Sequence, residues 1–311
     1  MGPERCCPYA HSLSHPVTGW RRYGELGIPS LERGTRRPKE AALSSLDTFR
    51  RMFSDVTLQI EDLFLLEHFQ IGYLPGWAPE PELAAVLHAY PAVARYLTKR
   101  NPAVSDYVER ILGTHGPAQD ARELERAAET LLWTIADLLV YQVCPEAYDR
   151  QSFHGWDFFQ ITSLVPLAGR RVVDAGAGTG RVALEAAESA AEVWAVEPVE
   201  RLRRYMRDRA QRLGLENVYA VDGFLHRLPF PDGFADVLVT SHALGWHPDE
   251  ELAEFERLVR PGGMIMHCPG TVVDGNPSLH ERLVSPPWGY DWATYKAPDA
   301  KKRKYWKQTR Y

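Results

Sequence analysis

The sequence predicts a two-part chain: an all-helical first half, then an α/β domain built on a doubly wound, mostly parallel sheet. Three observations carry this. After Tyr148, five short apolar runs alternate with amphipathic stretches, the pattern of strands buried on both faces between covering helices. The first run leads directly into "VVDAGAGTGR", Val172 to Arg181, which packs three glycines into five positions. Before Tyr148 the apolar residues recur at helical spacing without a strand pattern between them.

Composition bounds the rest. With 45% hydrophobic and 25% charged residues over 311 positions, the chain has apolar mass for a proper core and the length of one large or two medium domains. A net charge of -5 gives no reason to expect a polyanionic partner over the whole molecule. Both ends run basic, so a nucleic-acid contact would have to rest on local patches. The opening "MGPERCCPYAHSL" has no apolar stretch of signal-peptide length. The longest greasy run, "LLWTIADLLVYQV", is too short to span a bilayer and contains Asp137. A cytoplasmic protein without membrane attachment is expected. Cys6, Cys7, Cys144 and Cys268 are scattered, which fits a reducing compartment. Cys6 and Cys7 with His11 and His15 lack the spacing that lets ligands converge, so no metal is expected.

Taken in order, residues 1–40 hold Pro, Gly, Ser and Arg without sustained periodicity and read as an N-terminal arm. Residues 41–147 read as a helical domain. "ALSSLDTFRRMF" and "VTLQIEDLFLLEHF" carry helical spacing, and "GYLPGWAPEPE" breaks it. "ELAAVLHAY" and "AVARYLTKR" follow. Asn101 then offers an N-cap with Pro102 at the first helical position, and one long amphipathic stretch from about Ala118 to Val143 is closed by Pro145. Residues 148–311 form the α/β domain, with strands in "RRVVDAG", "EVWAVE", "NVYAVDG", "ADVLVTS" and "GGMIMHC". Between them one helix places Val199, Leu202, Met206, Ala210 and Leu213 on a single face, and another Leu252, Phe255 and Val259. No repeat of solenoid period is visible.

In a doubly wound sheet the ligand lies beyond the carboxyl ends of the strands, where Gly176, Gly178 and Gly180 fall. A dinucleotide fingerprint needs a further glycine where this chain has Arg181, and an acid, Asp174, stands two residues before the first glycine. An acid there suits a cationic ligand better than a pyrophosphate. "DAGAGTG" resembles motif I of the class I methyltransferases that use S-adenosylmethionine. The resemblance covers about Tyr148 to Cys268 and does not cover the helical half. It implies a seven-stranded sheet, S-adenosylmethionine as cofactor, and Asp174, Gly176, Ala177, Gly178 and Gly180 around it. Glu197, ending the second strand beside Pro198, would take both ribose hydroxyls. Asp222, ending the third, would accept from the adenine amine, with Gly223 or Phe224 lining the ring. Ser241 closes the fourth strand beside the cofactor. For each acid a helix or turn cap is the plain alternative. "YDRQSFHGWDFF" ahead of the first strand concentrates Tyr148, Phe153, His154, Trp156, Phe158 and Phe159. Tyr148 and Trp156 are read either as cofactor contacts, since an aromatic face suits a sulfonium, or as glue between the two parts.

Methyl transfer needs a base only if the acceptor must lose a proton. His242, just beyond the fourth strand, is the candidate catalytic residue, with His247 second; packing beside the cofactor is the other reading of His242. "SPPW", Ser285 to Trp288, resembles the motif of amino-methylating enzymes, but that motif follows the fourth strand and this one follows the fifth, so a Pro-Pro turn is expected. The basic end, Lys296, Lys301, Lys302, Arg303, Lys304, Lys307 and Arg310 with Tyr305 and Trp306, has the composition of single-strand nucleic-acid surfaces. It also suits a final antiparallel hairpin at the sheet edge, protected by lysines. The expectation is a methyltransferase for a small-molecule acceptor, whose helical part walls off the acceptor, supports a homodimer, or both. The rivals are an RNA methyltransferase and a non-catalytic S-adenosylmethionine binder.

Overall fold

The computed structural model describes residues 50–273 and 275–310. The expected arm, the start of "ALSSLDTFRRMF", and Cys6, Cys7, His11 and His15 lie outside the described residues. The described chain divides into two compact units that meet in sequence at Tyr148 and Asp149.

The first unit is helical. Its principal helices are α1 (Glu80–Ala89), α2 (Pro91–Arg100), α3 (Ser105–Thr114), α4 (Ala121–Thr134) and α5 (Ala136–Val143). They close over a core that includes Leu83, Val86, Leu97, Ile111, Leu131 and Leu139. Asn101 accepts from the Ala103 N–H at 3.1 Å, but the turn it caps, Pro102–Val104, is a single 3₁₀ turn before α3. The stretch read as one helix over "VTLQIEDLFLLEHF" is instead two short pieces, Ile60–Leu65 and His68–Ile71. The Asp62 and Gln70 side chains reach back to the Gln59 and Glu67 N–H groups at 2.7 and 3.0 Å, restarting the helix at each reciprocal cap. The long stretch to Val143 also breaks, at Ile135, whose φ of -103° and ψ of 18° leave the helical region. No helix among the described residues is long and apolar enough to cross a membrane.

The second unit is the expected sheet. Its strands are β1 (Arg171–Ala175), β2 (Glu192–Val196), β3 (Val218–Val221), β4 (Ala235–Thr240), β5 (Val259–His267), β6 (Asp291–Lys296) and β7 (Lys301–Gln308). They lie in the order β3-β2-β1-β4-β5-β7-β6. The first five pair in parallel, and β7 enters antiparallel between β5 and β6. Helices α6 (Arg181–Ala187), α7 (Glu200–Arg212), α8 (Pro248–Leu258) and α9 (Pro277–Val284) accompany it. Each central strand is apolar on both faces because each face has its own core: Val172, Val193, Val237 and Met206 belong to one, Val173, Leu238, Ile265 and Phe255 to the other. Val199, Leu202, Met206 and Ala210 are buried as expected, but Leu213 is 61% exposed, because α7 stops at Arg212.

The hairpin forms, and its lysines guard the edge only in part: Lys296 on β6 is exposed, but two others turn inward. The edge strand is β6, while Lys302 and Lys304 on β7 are only 3% and 8% exposed. Lys302 Nζ pairs with Asp299 at 2.9 Å, and Lys304 Nζ donates to the Gln160 carbonyl at 2.9 Å. A buried ammonium needs such partners.

Candidate functional site

β1 ends at Ala175 and the chain turns through the glycine loop into α6. Gly176, Gly178 and Gly180 hold φ of 77°, 55° and 85°, the left-handed region that glycine enters without penalty. Space forbids side chains as well. A β-carbon on Gly176 would stand 2.4 Å from the Ala243 β-carbon, and one on Gly180 2.4 Å from Met206 Cγ.

The amides of this loop turn inward. The Gly176 and Ala177 N–H groups both donate to the Val196 carbonyl at 2.9 Å, and Ala177 is buried. The Gly178 N–H donates to Glu197 Oε2 at 3.0 Å, while Glu197 Oε1 accepts from the Val199 N–H at 2.9 Å. A phosphate site needs free amides and no carboxylate among them. Here the N–H groups of Gly176, Ala177 and Gly178 are engaged and an acid sits among them, which fits a cofactor without phosphates.

The acids differ in exposure. Asp174 is buried: it is 1% exposed, and its Oδ2 accepts from the Ala183 N–H at 2.9 Å, capping the start of α6. Burial, helped by the negative charge of Glu197, pushes its carboxyl up to about 7. Its Oδ1 has no protein partner among the described residues. Glu197 is 6% exposed, and the Asp222 side chain is 70% exposed. The parallel pairing of Val196 with Val221 sets Glu197 and Asp222 side by side at the strand ends. One Arg203 nitrogen, Nη1, reaches the Glu197 and Pro198 carbonyls at 2.7 and 2.8 Å and Asp222 Oδ1 at 3.1 Å. A β-carbon on Gly223 would meet Val196 at 2.8 Å and Pro229 at 2.9 Å, and the Phe224 ring stacks on His226 at 5.7 Å.

Beyond β4 the half-buried Ser241 leads into His242, whose φ of 60° is unusual for a residue other than glycine. Its N–H donates to the Pro269 carbonyl at 3.3 Å, its ring meets Phe153 edge-on at 5.6 Å, and it hydrogen-bonds the Phe153 backbone. His242 stays open to solvent. Protein nonetheless crowds it, and this partial desolvation, with the positive charge of Lys302, holds its imidazole below the ordinary range. His247 keeps other company: its ring meets His226 at 5.1 Å, and its N–H donates to the buried Glu251 at 3.0 Å. Glu251 also accepts from the Gly245 N–H at 2.7 Å, pinning the loop that carries His242.

Two expected aromatic contacts fare differently. Trp156 is 1% exposed, so a cofactor cannot reach its ring. Arg181 holds it inside, with the guanidinium 4.6 Å over the indole and Nη2 2.7 Å from the Trp156 carbonyl. Tyr148 belongs to the helical unit, where its ring meets Tyr141 edge-on at 4.7 Å. Sequence reasoning passed over Arg203, Glu251 and Arg181 as site-shaping residues. Arg203 gave a faint signal, in the first turn of the helix that follows a strand-ending acid, but Arg201, Arg204 and Arg207 share that helix.

"SPPW" forms a turn, with the Trp288 and Gly289 N–H groups donating to the Ser285 carbonyl at 3.0 Å. It lines a cleft of about 660 Å³ with Gly233, Val259 and Thr309. That cleft lies where β4 and β5 begin, at the other end of the sheet from the glycine loop.

Residues 172–263 match the model described as a methyltransferase domain. The chain is 34% identical over 116 residues to a ubiquinone/menaquinone biosynthesis C-methyltransferase UbiE of Cupriavidus metallidurans, covering 36% of this chain and 47% of that protein. It is 30% identical over 158 residues to the protein of the same name from Ralstonia pickettii, covering 49% and 65%. The chain thus spans less than two thirds of the length of these curated relatives. Among solved structures it is similar to a SAM-dependent methyltransferase from Aquifex aeolicus, at 17% identity and a TM-score of 0.43 over 52% of this chain and 95% of that one. Residues 172–263, within the unit built around β1–β7, therefore carry a methyltransferase domain.

Proposed function

We propose that this chain transfers a methyl group from S-adenosylmethionine to a small-molecule acceptor. The observation that carries the reading is the inward-turned glycine loop with the Glu197 carboxylate among its amides. Glu197 would take the ribose hydroxyls through the carboxylate that the Gly178 and Val199 N–H groups hold in place. Asp222, with Gly223 and Phe224, would meet the adenine. Ser241, after β4 on the other side of β1, would meet the cofactor from there, and Asp174 Oδ1, without a partner among the described residues, would offer an acceptor from beneath the loop. Bound, the cofactor supplies a methyl group already activated by its sulfonium, so the protein's part is approach and orientation. His242, uncharged at neutral pH and open to solvent, takes the proton from an acceptor that must lose one.

The names of the relatives, C-methyltransferases of ubiquinone and menaquinone biosynthesis, support a small-molecule acceptor. The fate of the basic C-terminal residues disfavours RNA. Lys302 and Lys304 are buried, Lys307 pairs with Glu256, and Arg303 donates to the Val272 and Val273 carbonyls at 2.9 and 2.6 Å. The same reading places the enzyme in the cytoplasm and gives the helical unit the role of covering the acceptor, of joining a homodimer, or both.

The test is calorimetric titration with S-adenosylhomocysteine. Glu197→Ala should weaken binding at least tenfold, about 1.4 kcal/mol; unchanged affinity would remove the ribose assignment. Nicotinamide dinucleotide bound in its place would end the reading altogether. A chain that binds the cofactor and releases no S-adenosylhomocysteine with any cell extract is a binder and not an enzyme.

A further inference from the structure

We propose that Arg203 is a positioning residue that makes the cofactor site selective for an adenine amine, an inference that rests on the cofactor reading above. Asp222 is well exposed, and in water nothing would hold its carboxylate in one orientation. Arg203 supplies the hold. Its side chain is 13% exposed and is fastened by the Glu197 and Pro198 carbonyls at 2.7 and 2.8 Å, both fixed at the end of β2. From there Nη1 reaches Asp222 Oδ1 at 3.1 Å.

Two consequences follow from this geometry. The two N–H bonds of Nη1 are shared among three acceptors, so the same nitrogen sets the spacing between the ends of β2 and β3. With Oδ1 engaged by a cation, Oδ2 remains as a pure acceptor held in one place. A ligand amine donates to it. A ligand carbonyl at the same ring position would bring lone pair against lone pair, leaving both groups unpaired. Lysine would replace this only in part, because its ammonium also donates from a single nitrogen but sits on a flexible stem that does not hold it in one place.

The experiment compares S-adenosylhomocysteine with S-inosylhomocysteine, which carries a carbonyl where adenine carries its amine, by calorimetric titration of the full chain. Wild type should prefer the adenosyl compound. Arg203→Ala should weaken its binding by about tenfold and shrink the preference by a similar factor, with Arg203→Lys in between. A merely structural role would weaken both ligands alike, so a preserved preference overturns the proposal, as does unchanged affinity. If Arg203→Ala does not fold, Arg203→Lys carries the same comparison. Wild type that binds neither compound sinks the cofactor reading itself and this inference with it.

Discussion

Replacing Gly176 with alanine tests the architecture of the loop most directly, because two separable penalties act at one atom. The first is conformational: at φ of 77° a β-carbon costs about 1–2 kcal/mol. The second is steric. The new carbon would stand 2.4 Å from the Ala243 β-carbon, whereas carbons in good contact lie about 3.5–4.0 Å apart. Ala243 has no flexible end to yield, so the loop after β4 must retreat by about 1 Å, an overpacking cost of roughly 1–3 kcal/mol. The sum, about 2–5 kcal/mol, should lower the melting transition of the α/β unit by roughly 10 °C. It should also weaken S-adenosylhomocysteine binding, since the displaced loop carries Ser241 and His242. Adding Ala243→Gly separates the two terms. With that β-carbon gone, the nearest atoms to the new methyl are Leu225 Cδ1 at 3.4 Å, the end of a side chain, and Ala243 Cα at 3.9 Å. The double variant should therefore regain the steric part and keep the conformational one, after allowing about 0.5–1 kcal/mol for the new glycine. Thermal and urea unfolding of wild type, the two single variants and the double variant measure this. A Gly176→Ala variant as stable as wild type, or a double variant no better than the single one, would refute the reasoning.

Two other outcomes are expected. His242→Asn should leave S-adenosylhomocysteine affinity within about twofold and cut turnover by about a hundredfold or more with an acceptor that must lose a proton; full turnover would remove His242 from the mechanism. His267 is buried, bonds Thr240 Oγ1 at 2.6 Å, and is held down to about 3 by burial. Because its folded value lies below the unfolded value of about 6.5, its contribution is intact above that pH and lost as pH falls, about 2 kcal/mol by pH 5. Urea midpoints at pH 7 and pH 5 should show a shallower acid loss for His267→Gln than for wild type, and equal slopes would contradict this.

The central sheet was legible because its strands are β-branched runs buried on both faces, as in "RRVVDAG" and "ADVLVTS", and burial on both faces leaves little else for them to be. The hairpin was legible through the family resemblance, which implies one at the sheet edge, but the direction of its side chains was not. A lysine in a strand reads as solvent-facing, and only the fold supplies the Asp299 and Gln160 partners that let Lys302 and Lys304 turn inward. In the helical half, periodicity located apolar faces and missed the breaks, because side-chain caps such as Asp62 onto Gln59 compete locally with helix continuation. At the site, the glycine spacing was informative because three left-handed positions, two of them with close neighbours, demand it. Asp174 shows the limit: the sequence sets an acid next to the loop, while its burial follows from the packing of α6 against β1. Trp156 failed for a related reason, since an aromatic beside a ligand loop and an aromatic beneath an arginine look the same in one dimension. Arg203 was hidden by abundance, one arginine among several on α7.

The inward-facing amides of the glycine loop have a consequence for life in a crowded cell. ATP and the nicotinamide dinucleotides share the adenosine half of S-adenosylmethionine, so recognition of base and sugar alone would leave the pocket open to them. Their phosphates, arriving beside Glu197, would find a negative charge and no unclaimed N–H on Gly176, Ala177 or Gly178. On the proposed cofactor reading, three of the loop's backbone donors are thus withheld from these competitors before any ligand arrives.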